Sequence, residues 1–215
     1  MLPPNLPAPE ALSRLLEGNL RFASHVVSID TLARHLKRDT LAKGQRPFAT
    51  VLGCSDSRAP AELVFDQGLG DLFVIRVAGN VVSPSQVGSV EFAAERFGTR
   101  LVVVMGHTQC GAIEATLDAM EGGGQPSTNV MSIVQRIRPS VETVREARLG
   151  GGDRAGLLRA AARANARASV DHLRHGSAVL EKLIQEDGLA VVGAEYDVES
   201  GKVEVFDSPF PGGLG

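Results

Sequence analysis

The sequence predicts an α/β fold: a mainly parallel central sheet flanked by helices, with a C-terminal edge hairpin and an N-terminal helical arm. Short, continuously apolar runs alternate with stretches of helical spacing, which is typical of a parallel sheet covered on both faces. The 215 residues are 43% hydrophobic and 22% charged, a balance that suits one globular domain with a sizeable core. No apolar run approaches the roughly 20 residues needed to cross a bilayer.

Two helices are predicted ahead of the first strand. The first covers residues 9–22, with leucines at helical spacing: Leu12, Leu15, Leu16 and Leu20. The second begins at a cap at Asp30 and ends at Gly44. Because both precede every strand, we predict that residues 1–44 form an arm and residues 45–215 the α/β core of a single domain.

Three apolar runs predict the first parallel strands: residues 48–53, 71–75 and 101–105. Between the second and third runs, residues 84–97 fit a helix closed by Gly98. The side chains available for its buried face are Val87, Val90, Phe92, Ala93 and Phe97.

The C-terminal half predicts further helices and then a hairpin. Residues 127–148 indicate one or two helices with a break near Pro139, and Asp153 is placed to cap a long helix rich in alanine and arginine. Residues 189–194 and 202–206 are predicted strands joined by a turn at residues 199–201, which gives a hairpin at the sheet edge.

Charge and cysteine content narrow the classes of function. The net charge of −3 lacks the basic footprint of a general nucleic-acid partner, and the mixed signs argue against docking on a membrane. The N-terminal residues have neither the basic start nor the apolar stretch of a secretory signal, so the cytoplasm is the expected location. In that compartment two interpretations of Cys54 and Cys110 compete: a metal-binding or catalytic role, and a role as buried structural thiols.

The chemical side chains follow two of the predicted strands directly. Cys54 follows the first strand, and His107 and Cys110 follow the third. Because the carboxyl ends of parallel strands converge in such a fold, these residues are expected to meet. Two thiolates and one imidazole suit zinc, and three protein ligands leave one tetrahedral position open, which is the catalytic pattern.

Asp56 and Arg58 stand beside the first of these ligands. The Asp56 carboxylate, two residues from Cys54, can reach the metal or a water bound to it. Arg58 can hold that carboxylate in a fork-like pair and keep it ionised. Alone, the two would equally be an ordinary surface ion pair of little consequence.

Residues 54–58 together with His107, Cys110 and Gly111 resemble the paired signature of the β-class carbonic anhydrases. Residues 19–22 are similar to the family's first-helix segment. Residues 65–80 are similar to its second strand and flanks, and residues 88–92 to the helix that follows.

The resemblance implies reversible hydration of carbon dioxide to bicarbonate and a proton by zinc-bound hydroxide, with one zinc ion per chain. It gives Cys54, His107 and Cys110 as metal ligands and Asp56 with Arg58 as the catalytic pair that orients the hydroxide. In some members of the family the same aspartate binds zinc and closes the site, so Asp56 is also a candidate ligand.

The resemblance also implies a substrate pocket and an assembly. The pocket residues would be Gln45, Phe73, Phe92 and Gly111, with Phe92 standing where many members carry tyrosine; plain core packing is the competing interpretation of Phe73 and Phe92. In the family the N-terminal helices wrap a partner subunit, so a homodimer or a multiple of it is expected.

Two other functions remain open at this point. A hydrolase of carbon disulfide or carbonyl sulfide on the same scaffold would share the ligands. A non-catalytic zinc or redox-sensing protein would use Cys54 and Cys110 as thiols, although it would have no need of the Asp56–Arg58 pair.

Overall fold

A five-stranded sheet forms the centre of the protein, in a computed structural model that describes residues 5–36, 42 and 44–210. Its strands run in the order β2–β1–β3–β4–β5. They are β1 (Ala49–Gly53), β2 (Leu72–Arg76), β3 (Leu101–His107), β4 (Ala190–Tyr196) and β5 (Val203–Asp207). The first four are parallel, and β5 pairs antiparallel with β4 at the edge, so the predicted fold class is confirmed.

Helices cover the two faces of this sheet. In the described part of the chain they are α1 (Ala8–Ala23), α2 (Ile29–Leu36), α3 (Ala61–Val64), α4 (Pro84–Arg96), α5 (Gly111–Met120), α6 (Thr128–Glu146), α7 (Arg154–His175) and α8 (Ala178–Glu186). None of these helices combines the length and the apolar character that a membrane span requires.

The alternation of side chains along the strands divides the core into two layers. On β3, Val103 faces the layer that contains Leu12 and Leu15 of α1. Its neighbours Val102 and Val104 face the layer that contains residues of α7. Every residue of β1, β3 and β4 is buried, which explains why these strands read as continuous apolar runs rather than alternating ones.

The N-terminal helices differ in part from the prediction. Leu12 and Leu15 are 2% and 0% exposed and pack on their own sheet, whereas Leu20 is 65% exposed. The second helix starts at Ile29, so Asp30 lies in its first turn rather than at its cap. Residues 37–41 and 43 of its predicted length lie outside the described residues. The domain boundary at residue 44 stays a prediction.

Two further predictions are wrong in detail. Phe92 lies outside the buried face of α4 and is 52% exposed. Helix α6 runs unbroken through Pro139. An internal proline costs a helix about 3 kcal/mol, but the buried stripe around Ile137 and Val141 holds both halves of α6 against the core.

The parallel pairing brings two loops together at one edge of the sheet. Strands β1 and β3 are neighbours, with Gly53 opposite Met105. Cys54 is therefore the first residue beyond β1, while His107 ends β3 and Cys110 precedes α5.

Candidate metal centre

Three side chains capable of binding a metal converge at this edge. The ligand atoms of Cys54, His107 and Cys110 all lie within 4.8 Å of one another. The two sulfur atoms are 4.0 Å apart. All three residues are buried, with exposures of 5%, 1% and 5%, so the group is a cluster of donors shielded from solvent.

The histidine presents one nitrogen to this cluster. His107 Nδ1 lies 2.9 Å from the carbonyl oxygen of Thr108, which places the ring proton on Nδ1 and leaves the Nε2 lone pair free. Nε2 is buried and has no hydrogen-bond partner within the described chain. An orphaned imidazole nitrogen beside two thiols fits a bound metal, and this donor set suits zinc.

Main-chain contacts fix the Cys54 loop. The Gly79 N–H donates to Cys54 Sγ at 3.3 Å. The Arg76 guanidinium donates to the carbonyl oxygens of Cys54 and Asp56 at 3.1 and 2.6 Å. Gly79 has a φ of 68°, a conformation that glycine adopts without strain, so the loop is anchored by residues outside the two cysteine motifs.

The surroundings favour a thiolate at one of the two cysteines. A hydrogen bond from Cys110 lowers the pKa of Cys54 well below its ordinary value, and this outweighs the opposing effect of burial. The same interaction, together with burial, raises the pKa of Cys110. Burial by itself lowers the pKa of His107, but the neighbouring Cys54 sulfur raises it overall.

Asp56 and Arg58 form a two-pronged ion pair beside the cluster. Arg58 Nε donates to Asp56 Oδ1 at 3.0 Å and Nη2 to Oδ2 at 2.9 Å. The Arg58 backbone N–H adds a bond to Oδ1 at 2.9 Å. These bonds, the Arg58 side chain first, hold the pKa of Asp56 well below its usual range. Asp56 Oδ2 lies 4.0 Å from His107 Nε2, so the carboxylate also borders the metal centre.

Two residues that the sequence did not single out complete this arrangement. Arg58 donates to the side-chain and main-chain oxygens of Gln109, at 3.2 and 3.1 Å. Gln109 Nε2 in turn donates to Glu199 Oε1 at 2.8 Å. Gln109 has a φ of 56°, which costs a non-glycine residue about 1–2 kcal/mol. Its position between His107 and Cys110 was the only signal in the sequence.

The predicted pocket residues are only partly brought to the centre within one chain. Gly111 follows Cys110 and begins α5. Phe73 lies three residues before the end of β2, about 10 Å along the strand from the site edge. Its ring contacts Phe92, with ring centroids 6.0 Å apart. Gln45 is exposed in the segment before β1.

Comparison with known proteins gives the relatives of this chain. The family model described as carbonic anhydrase matches residues 49–203. A carbonic anhydrase of Mycolicibacterium smegmatis is 37% identical over 202 residues, which cover 94% of this chain and 95% of the relative. Carbonic anhydrase 2 of Mycobacterium tuberculosis is 37% identical over 205 residues, 95% of each chain.

Solved structures share the fold. The β-carbonic anhydrase CafA of Aspergillus fumigatus is 30% identical, with a TM-score of 0.73 over 93% of this chain and 92% of its own. A tetrameric β-carbonic anhydrase of Sordaria macrospora is 23% identical, with a TM-score of 0.73 over 92% of this chain and 97% of its own. With a family match that spans strands β1 to β4 and relatives of nearly equal length, this chain belongs to the β-carbonic anhydrase family of enzymes.

Proposed function

We propose that the enzyme catalyses the reversible hydration of carbon dioxide to bicarbonate and a proton, with one zinc ion held by Cys54, His107 and Cys110. The observation that carries the proposal is the buried cluster of two thiols and an unpartnered imidazole nitrogen, within 4.8 Å of one another. A purely structural zinc usually has a fourth Cys or His ligand. The chain has only these two cysteines, and within the described residues no second histidine joins the group, which supports an open coordination position.

When bound, zinc supplies a water whose pKa is lowered from about 16 towards 7. Asp56 is placed to orient the proton of that nucleophile, because its Oδ2 lies 4.0 Å from His107 Nε2. Arg58 keeps the carboxylate ionised and bound to the guanidinium, rather than to the metal, through two side-chain bonds. If that pairing is broken, Asp56 becomes the fourth candidate metal ligand.

The substrate pocket requires more than one chain in this proposal. Gly111 stands at the N-terminus of α5, where backbone N–H groups favour an anion such as bicarbonate. Gln45, Phe73 and Phe92 do not reach the centre of their own chain. We therefore assign them to the pocket of a partner subunit in a homodimer or a multiple of it. The proposed location of the enzyme is the cytoplasm.

The proposal is tested by carbon dioxide hydration in a stopped-flow assay, with zinc measured per chain. The wild type is expected to bind one zinc and to hydrate carbon dioxide. Cys110→Ser and His107→Gln should lose metal and activity together, because each removes one of three ligands. His175→Gln removes an imidazole on the last turn of α7 and should keep the metal.

Three results would contradict parts of the proposal. Full zinc occupancy in Cys110→Ser would overturn the ligand assignment. Turnover of carbonyl sulfide or carbon disulfide without hydration of carbon dioxide would favour the hydrolase on the same scaffold. A zinc-loaded wild type that turns over neither substrate would indicate a non-catalytic zinc or redox-sensing protein.

A further inference from the structure

Arg58 is held on two sides, and only one of them belongs to the pair with Asp56. We propose that Gln109 and Glu199, referred to below as the Gln109–Glu199 relay, are positioning residues that keep Arg58 on Asp56. The inference rests on the proposed function and deepens it. It names residues that set the balance between Asp56 paired with Arg58 and Asp56 bound to the metal.

The hydrogen-bond donors of Arg58 are divided between Asp56 and Gln109. Nε and Nη2 point to the Asp56 carboxylate. Nη1 donates to Gln109 Oε1, and Nη2 also donates to the Gln109 carbonyl oxygen. The Arg58 side chain is 48% exposed, and an ion pair this exposed is weakly held by its charges alone. The two bonds to Gln109 therefore restrict a side chain that would otherwise sample several rotamers.

Arg58 and Glu199 together fix the orientation of the Gln109 side-chain amide. Its oxygen faces the guanidinium and its nitrogen faces the carboxylate of Glu199, at 2.8 Å. A flipped amide would set its N–H₂ group against Arg58 and its oxygen against Glu199, so both neighbours select one orientation. Charge alternates along the chain of contacts, from Asp56 to Arg58 to the Gln109 dipole to Glu199.

Glu199 is held in place by hydrogen bonds of the hairpin turn. It lies in the turn between β4 and β5, where its backbone N–H donates to Asp197 Oδ1 at 3.1 Å. The neighbouring Val198 N–H donates to Thr108 Oγ1 at 3.0 Å. The edge hairpin is thus tied to Thr108 and to Gln109 in the loop after β3, which fixes the position of Glu199.

The consequence is a coupling between the edge hairpin and the catalytic pair. In Gln109→Ala and Glu199→Ala, Arg58 keeps its bonds to Asp56 and to the main-chain oxygen of residue 109. The Nη1 bond to the Gln109 side chain is lost or loosened, so Arg58 moves more freely and Asp56 leaves the pair more often. We expect kcat/KM to fall about fivefold in Gln109→Ala and Glu199→Ala, the scale of one charge-assisted hydrogen bond in a half-exposed setting.

The experiment compares these variants with matched controls at equal zinc content. Glu199→Gln keeps an acceptor for Gln109 Nε2 and should restore most of the activity. Glu186→Ala removes an exposed carboxylate on α8 and should match the wild type. In an Arg58→Ala background, Gln109→Ala should have almost no further effect, because the residue through which the relay acts is gone.

A second measurement is independent of turnover. The Nε–H resonance of Arg58, followed by nitrogen-15 NMR in metal-free protein, should exchange faster with solvent in Gln109→Ala and Glu199→Ala than in the wild type and Glu199→Gln. Unchanged exchange, or equal losses of activity with and without Arg58, would overturn the relay. If the wild type does not hydrate carbon dioxide, the proposed function fails, while the exchange measurement still decides the relay.

Discussion

Asp56 remains a carboxylate at every pH at which the enzyme would work. Arg58 holds the pKa of Asp56 well below its ordinary value, so the side chain is ionised above that low pKa and protonates only in strong acid. A change of activity near neutral pH therefore cannot come from protonation of Asp56. In the proposed mechanism it comes instead from the nucleophile that competes with this carboxylate for the open metal position.

Activity is expected to rise between about pH 6.5 and pH 8.5, following ionisation of the metal-bound water. At lower pH the nucleophile is protonated and becomes a weak, neutral ligand, so the permanently charged Asp56 gains the advantage at the metal. Stopped-flow hydration of carbon dioxide across this range measures the profile. A flat profile would leave the Asp56 gate without support.

The same prediction has a variant arm. Arg58→Ala removes the two side-chain bonds that hold Asp56 on the guanidinium and should cost about tenfold or more in activity at neutral pH. Arg138→Ala breaks only an exposed pair with Glu142 on α6 and serves as the control. An Arg58→Ala enzyme as active as the wild type at neutral pH would contradict the role given to Arg58.

The convergence of Cys54 with His107 could be predicted from the sequence, whereas the contacts around them could not. Cys54 and His107 stand at the ends of apolar runs, and parallel pairing alone brings such ends together. Glu199 lies 90 residues from Gln109, and their contact depends on how the hairpin packs. No spacing rule contains that information.

At the scale of elements, the turn of residues Ala78–Asn80 supports the Cys54 loop. Gly79 combines a φ of +68° with little space, since a Cβ atom there would lie 2.7 Å from Ile137 Cδ1 and 3.1 Å from Ala112 Cβ. Its N–H also bonds Cys54 Sγ. A side chain at this position therefore disturbs both the packing of α6 and the support of a candidate metal ligand.

Gly79→Ala is expected to destabilise the protein by about 2–3 kcal/mol, of which about 1–2 kcal/mol is the cost of positive φ and the rest displacement of Ile137. Gly188→Ala is the matched control, because Gly188 has a φ of +67° and open space around its Cβ position. Denaturant unfolding at one protein concentration gives both values. Equal losses in the two variants would show that the contacts around Gly79 carry no weight.

Element boundaries were least predictable where two signals compete. Pro139 is a strong helix breaker, yet the apolar stripe of α6 continues across it and packing prevails. Phe92 has the residue type of a core position but faces outwards on α4. Helix α5 was not predicted, because its start overlaps the second cysteine motif, and α8 was not predicted either.

At the scale of the whole molecule, one region of the surface is unusually apolar. Here it is called the α1–α3 surface. Its exposed members are Leu20, Val26, Val27, Ile29, Leu32 and Leu63, with exposures of 51% or more. Phe22, Val27 and Leu63 line a groove of about 350 Å³ within it. Contiguous apolar surface of this kind marks interaction sites in soluble proteins, so this surface is the one expected to lie in the interface of the proposed homodimer.

The enzyme is expected to sediment at low micromolar concentration as a homodimer, or a multiple of it, of the 22.6 kDa chain. Ile29→Glu and Leu63→Glu should shift it towards monomer, because their side chains are 84% and 55% exposed in one chain but would place an unpaired charge in the interface. Leu149→Glu, at a residue 56% exposed outside this surface, should leave the assembly unchanged.

Because Gln45 and Phe73 are assigned to the partner's pocket, specific activity should fall together with the dimer fraction as the variants are diluted. Sedimentation velocity and hydration assays on the same samples measure both quantities, and a fully active wild-type monomer would contradict both the interface and the shared pocket.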